Sequence, residues 1–128
     1  LSPLARMIVE RYAAAGLEQP SPGEVARALD AKLQIVEGLV QHLVKRKELV
    51  RLPGGLIFAS AALARLVDDL RASGWKRFTI VAFKDRFGLS RKWTIPLLEH
   101  LDNIGVTRRS GEEREIRLAS SPSNAVKS

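Results

Sequence analysis

The chain has 128 residues, of which 45% are hydrophobic, a share that is typical of globular proteins and excludes a disordered chain. It contains no cysteine, which excludes disulfides and thiolate metal sites, and it has no apolar run long enough to cross a membrane. The net charge is +7 and is concentrated in residues 74–111, which hold eight Lys and Arg and only three Asp and Glu, so polyanions are favoured as partners.

The first half of the sequence predicts three helices followed by a β-hairpin. The sequence SPGE at 21–24 is a helix start, because the serine can cap the helix and the glutamate can bond back to the cap. Asp30 can cap the next helix, and PGG at 53–55 makes the turn of the hairpin. The predicted elements are helices at 3–15, 22–29 and 31–46 and strands at 49–52 and 56–58.

The same order of elements recurs in the second half, so an internal repeat is the most informative feature of the sequence. Leu39 and Leu43 in the first long helix match Leu97 and Leu101 in the second. The predicted elements are helices at 61–73, 79–87 and 90–105, a short strand at 75–78, and strands at 106–109 and 115–118.

Two helices joined by a tight turn and followed by a hairpin are typical of a winged helix. We therefore predict a mostly helical fold with small β-hairpin wings, made of two tandem winged-helix modules. Their predicted bounds are 1–60 and 61–118, and a disordered tail is expected at 119–128.

No sequence motif indicates catalysis or a bound metal. The two histidines, His42 and His100, lie in the two long predicted helices without a second ligand at metal spacing. The sequence has no glycine-rich phosphate loop and no nucleophile elbow. We therefore expect a chain that is not an enzyme and has no cofactor, catalytic residue or metal ion.

A set of basic residues in the second module gives the candidate site. In a winged helix, the short helix, the start of the long helix and the wing converge on one face, so their cations can follow one phosphate backbone. The candidates are Lys84, Arg86, Arg91, Lys92, Arg108, Arg109, Arg114 and Arg117. Because Arg108 and Arg109 are neighbours in a strand, they point to opposite faces. The first module has no matching set, so we expect it to space or orient the second.

Two residues in the second long helix have two interpretations each. Trp93 follows Lys92 and either stacks on an unpaired base or packs against the core. Pro96 either kinks the helix or belongs to a helix that begins only near Thr94. Both interpretations of Pro96 leave the cations before it exposed.

The stretch GLSRKWTIPLLEHLD at 88–102, followed by GVTRR at 105–109, resembles the last winged-helix module of the bacterial selenocysteine-specific elongation factors, the SelB family. The first module looks like the preceding module of that family. In the family, these winged helices hold the factor to a hairpin in the messenger RNA beside a recoded UGA codon. The resemblance implies an mRNA-hairpin (SECIS)-binding fragment whose GTPase domains lie upstream and outside it.

The resemblance also implies which residues bind. The basic positions of the family fall on Arg91, Lys92, Arg108 and Arg109, and Lys84 lies where the family often has Arg. It further implies a cytoplasmic protein without a membrane partner, which reaches the ribosome through the full-length factor. We expect a monomer, and because the sequence does not start with Met we expect a fragment of a longer protein.

Two other functions remain open at this point. A tandem winged-helix regulator that binds DNA would need a recognition helix rich in Arg, Asn and Gln over several turns. In the second module the long helix is basic only at its start, which disfavours that function. A winged-helix protein-interaction module would bind nucleic acid weakly and with little dependence on salt.

Overall fold

The computed structural model describes residues 2–117, so the predicted tail at 119–128 and the last residue of the final predicted strand lie outside the described residues. The described elements are α1 (Pro3–Ala15), α2 (Pro22–Ala28), α3 (Leu33–Lys45), β1 (Leu49–Leu52), β2 (Leu56–Ala59), α4 (Ser60–Ala72), β3 (Arg77–Thr79), α5 (Ile80–Phe87), α6 (Arg91–Asn103), β4 (Thr107–Ser110) and β5 (Glu113–Ile116). The predicted class, mostly helical with small antiparallel sheets, is confirmed. The chain divides into two compact units between Arg65 and Leu66, inside α4.

Local caps start the first two helices of the first unit. The Ser2 hydroxyl accepts a hydrogen bond from the N–H of Ala5 at 3.1 Å. Ser21 and Glu24 form the capping box that the sequence predicted: the Ser21 N–H donates to the Glu24 carboxylate at 2.8 Å, and the Glu24 N–H donates to the Ser21 hydroxyl at 3.2 Å. Two otherwise unpaired donors are satisfied in this way, so α2 starts where the sequence indicates.

Asp30 does not cap α3, and this sequence prediction was wrong. Its φ of 52° lies in the left-handed region, which Asp tolerates better than most residues, and its N–H donates to the Arg27 carbonyl at 3.3 Å. Asp30 therefore closes the turn after α2. α3 begins at Leu33, with Lys32 at the cap position and no side-chain cap bond.

One buried cluster holds the first unit together. It joins α1, α2, α3 and the β1–β2 hairpin, and its fully buried members include Ile8, Tyr12, Val25, Val36, Leu43 and Leu49. In the hairpin, Leu49 pairs with Ala59 and Leu52 pairs with Leu56. The turn between the strands needs glycine, because Gly54 has a φ of 90°.

The second unit has a three-stranded sheet in which β5 lies between β3 and β4 and is antiparallel to both. The sequence predicted a short strand at 75–78, and the structure has one at Arg77–Thr79, paired with β5. From just before β3 to the end of α5, the aromatic rings form a chain with centroid distances of 5.7, 5.7 and 5.0 Å: Trp75, Phe78, Phe83 and Phe87. Such pairs add about 0.5–1.5 kcal/mol each beyond the area they bury.

α5 and α6 form a helix-turn-helix in the second unit. The Thr79 hydroxyl caps α5 by accepting from the Ala82 N–H at 3.1 Å, and Gly88 ends it in the left-handed conformation at φ 62°. α6 then runs unbroken for 13 residues with Pro96 inside it, so the alternative start near Thr94 is wrong. Its inward side buries three leucines, Leu97, Leu98 and Leu101.

Candidate nucleic-acid interface

The turn between α5 and α6 fixes the start of α6. Leu89 is buried under the turn, and its N–H donates to the Lys84 carbonyl at 3.0 Å. The Ser90 carbonyl accepts from the N–H groups of Trp93 and Thr94, both at 3.2 Å, and from the Thr94 hydroxyl at 2.8 Å. The buried Thr94 side chain thus ties the first turn of the helix to its cap residue.

Arg91 and Lys92 occupy that first turn, and both are exposed. Within residues 2–117, the side chain of Arg91 makes no hydrogen bond or ion pair, and Lys92 has no acidic partner. The unpaired N–H groups of a helix start add a partial positive charge. Two exposed cations without an acidic partner among these residues therefore coincide with a backbone environment that favours an anion.

Trp93 lies beside these cations and is half-buried. The Lys92 ammonium is positioned over its ring, with Nζ 4.7 Å from the ring centroid. The indole is therefore partly packed, and one of its faces is already covered by a cation. This contact also holds the Lys92 side chain close to the start of α6.

Lys84 and Arg86 do not share one side of α5. They are two positions apart, which is about 200° around a helix. Lys84 is half-buried, whereas the Arg86 guanidinium is exposed and lies over the rings of Trp75 and Phe87, 5.3 and 5.9 Å from their centroids. The prediction that Lys84 and Arg86 lie on one surface is therefore wrong.

The wing presents Arg108 and Arg109 as exposed residues on opposite faces of β4. Arg108 pairs in register with Glu115, and Arg109 pairs with Arg114. The Arg109 side chain makes a long hydrogen bond to the Gly111 carbonyl at the wing turn, 3.4 Å from Nε. Because β4 is an edge strand, both arginines border solvent.

Arg114 is a correction to the predicted site, because its side chain is only 7% exposed and is paired within the unit. Its Nε donates to both carboxylate oxygens of Asp102 at 3.2 Å, and its Nη2 donates to Oδ2 at 3.1 Å. The Thr107 hydroxyl donates to the same carboxylate at 2.6 Å. A buried guanidinium that is already satisfied by a carboxylate is not available to a phosphate.

A charge network that no sequence signal predicted lies on one face of the three-stranded sheet of β3, β5 and β4, here called the wing sheet. Arg77 in β3 donates to Glu115 at 2.6 Å and lies 3.5 Å from Glu113, so one guanidinium joins two carboxylates of β5. The hydrogen bond and charge of Arg77, and then the charge of Arg108, lower the pKa of Glu115. Glu115 therefore stays ionised beside Arg108 and offsets part of its charge.

The first unit differs at the matching place. The first turn of α3 exposes Leu33, Gln34 and Ile35 and has no cation. Its basic residues at 45–47 lie at the other end of the helix. Among the described residues no group of His, Asp or Glu is arranged to hold a metal ion, and no helix there is long and apolar enough to cross a membrane.

Several known proteins are similar to this chain in sequence or structure. The sequence model of the family described as "Elongation factor SelB, winged helix" matches residues 70–116. A selenocysteine-specific elongation factor from Desulfomicrobium baculatum is 25% identical over 118 residues, which are 91% of this chain. The chain spans about a fifth of the length of that relative, 19%.

Two solved structures superpose on most of the chain. One is the mRNA-binding domain of elongation factor SelB from E. coli in complex with SECIS RNA, with a TM-score of 0.71 and 20% identity over 92% of this chain and 100% of that one. The other is a bacterial selenocysteine-specific elongation factor, with a TM-score of 0.71 and 27% identity over 91% of this chain and 19% of that one. The first likeness shows the fold, and the second agrees with the sequence matches. Residues 70–116 therefore match the winged-helix family of elongation factor SelB, and most of the chain is similar to selenocysteine-specific elongation factors.

Proposed function

We propose that the second unit binds an mRNA hairpin of the SECIS type and thereby tethers a selenocysteine elongation factor beside a recoded UGA codon. The observation that carries the proposal is a pair of exposed cations at the start of α6, Arg91 and Lys92, which have no acidic partner among residues 2–117. Arg108 and Arg109 of the wing supply further phosphate contacts. The solved relative in complex with SECIS RNA supports the choice of ligand.

The exposed side of α6 favours a hairpin over a DNA duplex. After Lys92, its exposed side chains are Ile95, Glu99 and Asn103. A helix that lies along a major groove needs polar or basic side chains facing the bases. Ile95 is apolar, Glu99 repels phosphates, and Asn103 lies at the far end of the helix, so α6 does not suit that role. The A-form major groove is in any case too narrow for a helix, so the bases that specify the RNA lie in its loop or bulge.

The remaining properties of the longer factor are part of the same proposal. We infer that this chain acts as a monomer in the cytoplasm, that it catalyses no reaction itself, and that it reaches the ribosome only through the longer protein. The first unit, whose matching helix has no cation in its first turn, spaces or orients the second.

A titration over a range of salt concentrations tests the proposal. The RNA ligands are a panel of SECIS hairpins and the same hairpins with changed loop bases, and a DNA duplex of equal length is the control. We expect tight binding to at least one native hairpin, with an affinity that falls steeply as salt rises. Equal binding to all ligands would leave only a nonspecific basic surface, and preference for the duplex would favour a DNA-binding regulator.

A further inference from the structure

We infer that Asp102 is a positioning residue for the hairpin site: its carboxylate fixes the wing relative to the start of α6. The inference rests on the proposed function and deepens it, because Asp102 touches no RNA in this scheme. Its partners are Arg114 and Thr107, one from each strand of the wing hairpin.

The geometry makes this carboxylate the junction of three elements. Asp102 belongs to the last turn of α6, Thr107 is the first residue of β4, and Arg114 lies in β5. Both partners are buried, Thr107 at 2% and Arg114 at 6% relative exposure, so water competes poorly for these bonds. Four hydrogen-bond contacts converge on two carboxylate oxygens.

The position of the proposed phosphate contacts follows from this junction. Arg108 comes directly after Thr107 in β4, and Arg109 is paired in register with Arg114. Arg91 and Lys92 begin α6, and Asp102 lies in the last turn of the same helix. Backbone bonds such as Val106 N–H to the Leu101 carbonyl hold the base of the hairpin, and the Asp102 carboxylate adds side-chain hydrogen bonds from α6 to both wing strands.

Charge alone and positioning predict opposite effects for one substitution. Asp102→Asn removes a negative charge from a basic domain, so electrostatics alone would tighten RNA binding. If Asp102 positions the wing, the same change weakens binding, because the asparagine cannot hold a guanidinium with two charged oxygens. Glu99→Gln is the matched control, since it removes an exposed acid three residues earlier in the same helix.

The experiment measures hairpin affinity and its salt dependence for the whole chain and for Asp102→Asn, Asp102→Glu and Glu99→Gln. Asp102→Glu keeps the charge but moves the carboxylate outward. It replaces Asp102→Asn as the test variant if the asparagine variant does not fold. Circular dichroism melting sets a temperature at which all compared variants are folded. We expect both Asp102 variants to bind about tenfold more weakly, as is usual when the support of a site is lost, and Glu99→Gln to bind at least as tightly as the unsubstituted chain.

A second readout separates positioning from lost stability. We expect the cost of replacing both Arg108 and Arg109 by Gln to shrink in the Asp102→Asn or Asp102→Glu background, while the cost of Arg91→Gln stays the same. Lost stability alone would leave both costs unchanged. Unchanged or tighter binding by both Asp102 variants overturns the inference but not the proposed function. An unsubstituted chain that binds no hairpin overturns both.

Discussion

Arg77 of β3 and Glu115 of β5 form an ion pair across neighbouring strands, with Nη2 of the arginine 2.6 Å from Oε2 of the glutamate, although they are 38 residues apart in the sequence. Glu115 also stands opposite Arg108 in the register of β4 and β5. One carboxylate is therefore shared between a structural cation and a proposed RNA contact.

We expect Glu115→Gln to tighten hairpin binding several-fold, because Arg108 then has its full charge available for a phosphate. The slope of log affinity against log salt should become steeper by up to about one unit, the value for one more phosphate contact. Glu10→Gln, on the exposed side of α1, changes the net charge equally and should leave both quantities nearly unchanged. Equal tightening in the two variants would reduce the effect to net charge.

The same carboxylate predicts a pH dependence of stability. Because Arg77 lowers the pKa of Glu115 in the folded protein, the pair stabilises the fold above the ordinary Glu pKa of about 4.3. That stabilisation is lost as the pH falls below this value and through the lowered pKa of the folded state. Melting temperatures of the unsubstituted chain and Glu115→Gln, measured over this range, should differ near neutral pH and converge in acid. A difference that persists in strong acid would contradict the prediction.

The sequence predicted best what is decided locally. The capping box at 21–24 and the helix predicted at 79–87 each depend on neighbours within a few residues. The structure has the capping box and a helix at Ile80–Phe87, with Thr79 as its cap. The prediction that Asp30 caps α3 was wrong, because the same short polar side chain suits both a cap and a left-handed turn. Its final conformation depends on how α2 and α3 pack.

The candidate site was harder to predict, because the partners of its charged residues depend on how the strands pair. Nothing in the order of residues shows that β5 lies between β3 and β4, so the pairs of Arg77 with Glu115 and of Arg114 with Asp102 are invisible in the sequence. The exposure of Arg91 and Lys92 in the first turn of α6 was predictable, because Arg and Lys side chains are almost never fully buried unless they are paired. For a basic residue in a wing strand, by contrast, the pairing of the strands decides whether its side chain is exposed or buried.

Arg114 should therefore matter for stability before it matters for binding. Arg114→Met leaves the Asp102 carboxylate without its cation, and removing one partner of a buried pair costs about 3–5 kcal/mol. Since the Asp102 side chain is 26% exposed, we expect the lower end of that range. Arg108→Met, at an exposed position of the neighbouring strand, should change the free energy of unfolding by no more than about 0.5 kcal/mol. Urea denaturation of the two variants checks the contrast, and equal stabilities would contradict the buried pair.

Arg91 and Lys92 should show the reverse behaviour, with large effects on binding and small ones on stability. Each replacement by Ala should weaken hairpin binding by about 1–2 kcal/mol, the value of a lost charge-assisted hydrogen bond. Each should also reduce the salt slope by about one unit if the side chain contacts a phosphate. Arg11→Ala, an exposed cation on α1 of the first unit, is the matched control and should change neither quantity. Unchanged affinity in both α6 variants would remove the start of this helix from the RNA site, whereas a weakened affinity with an unchanged slope would mean that the two side chains act on bases and not on the backbone.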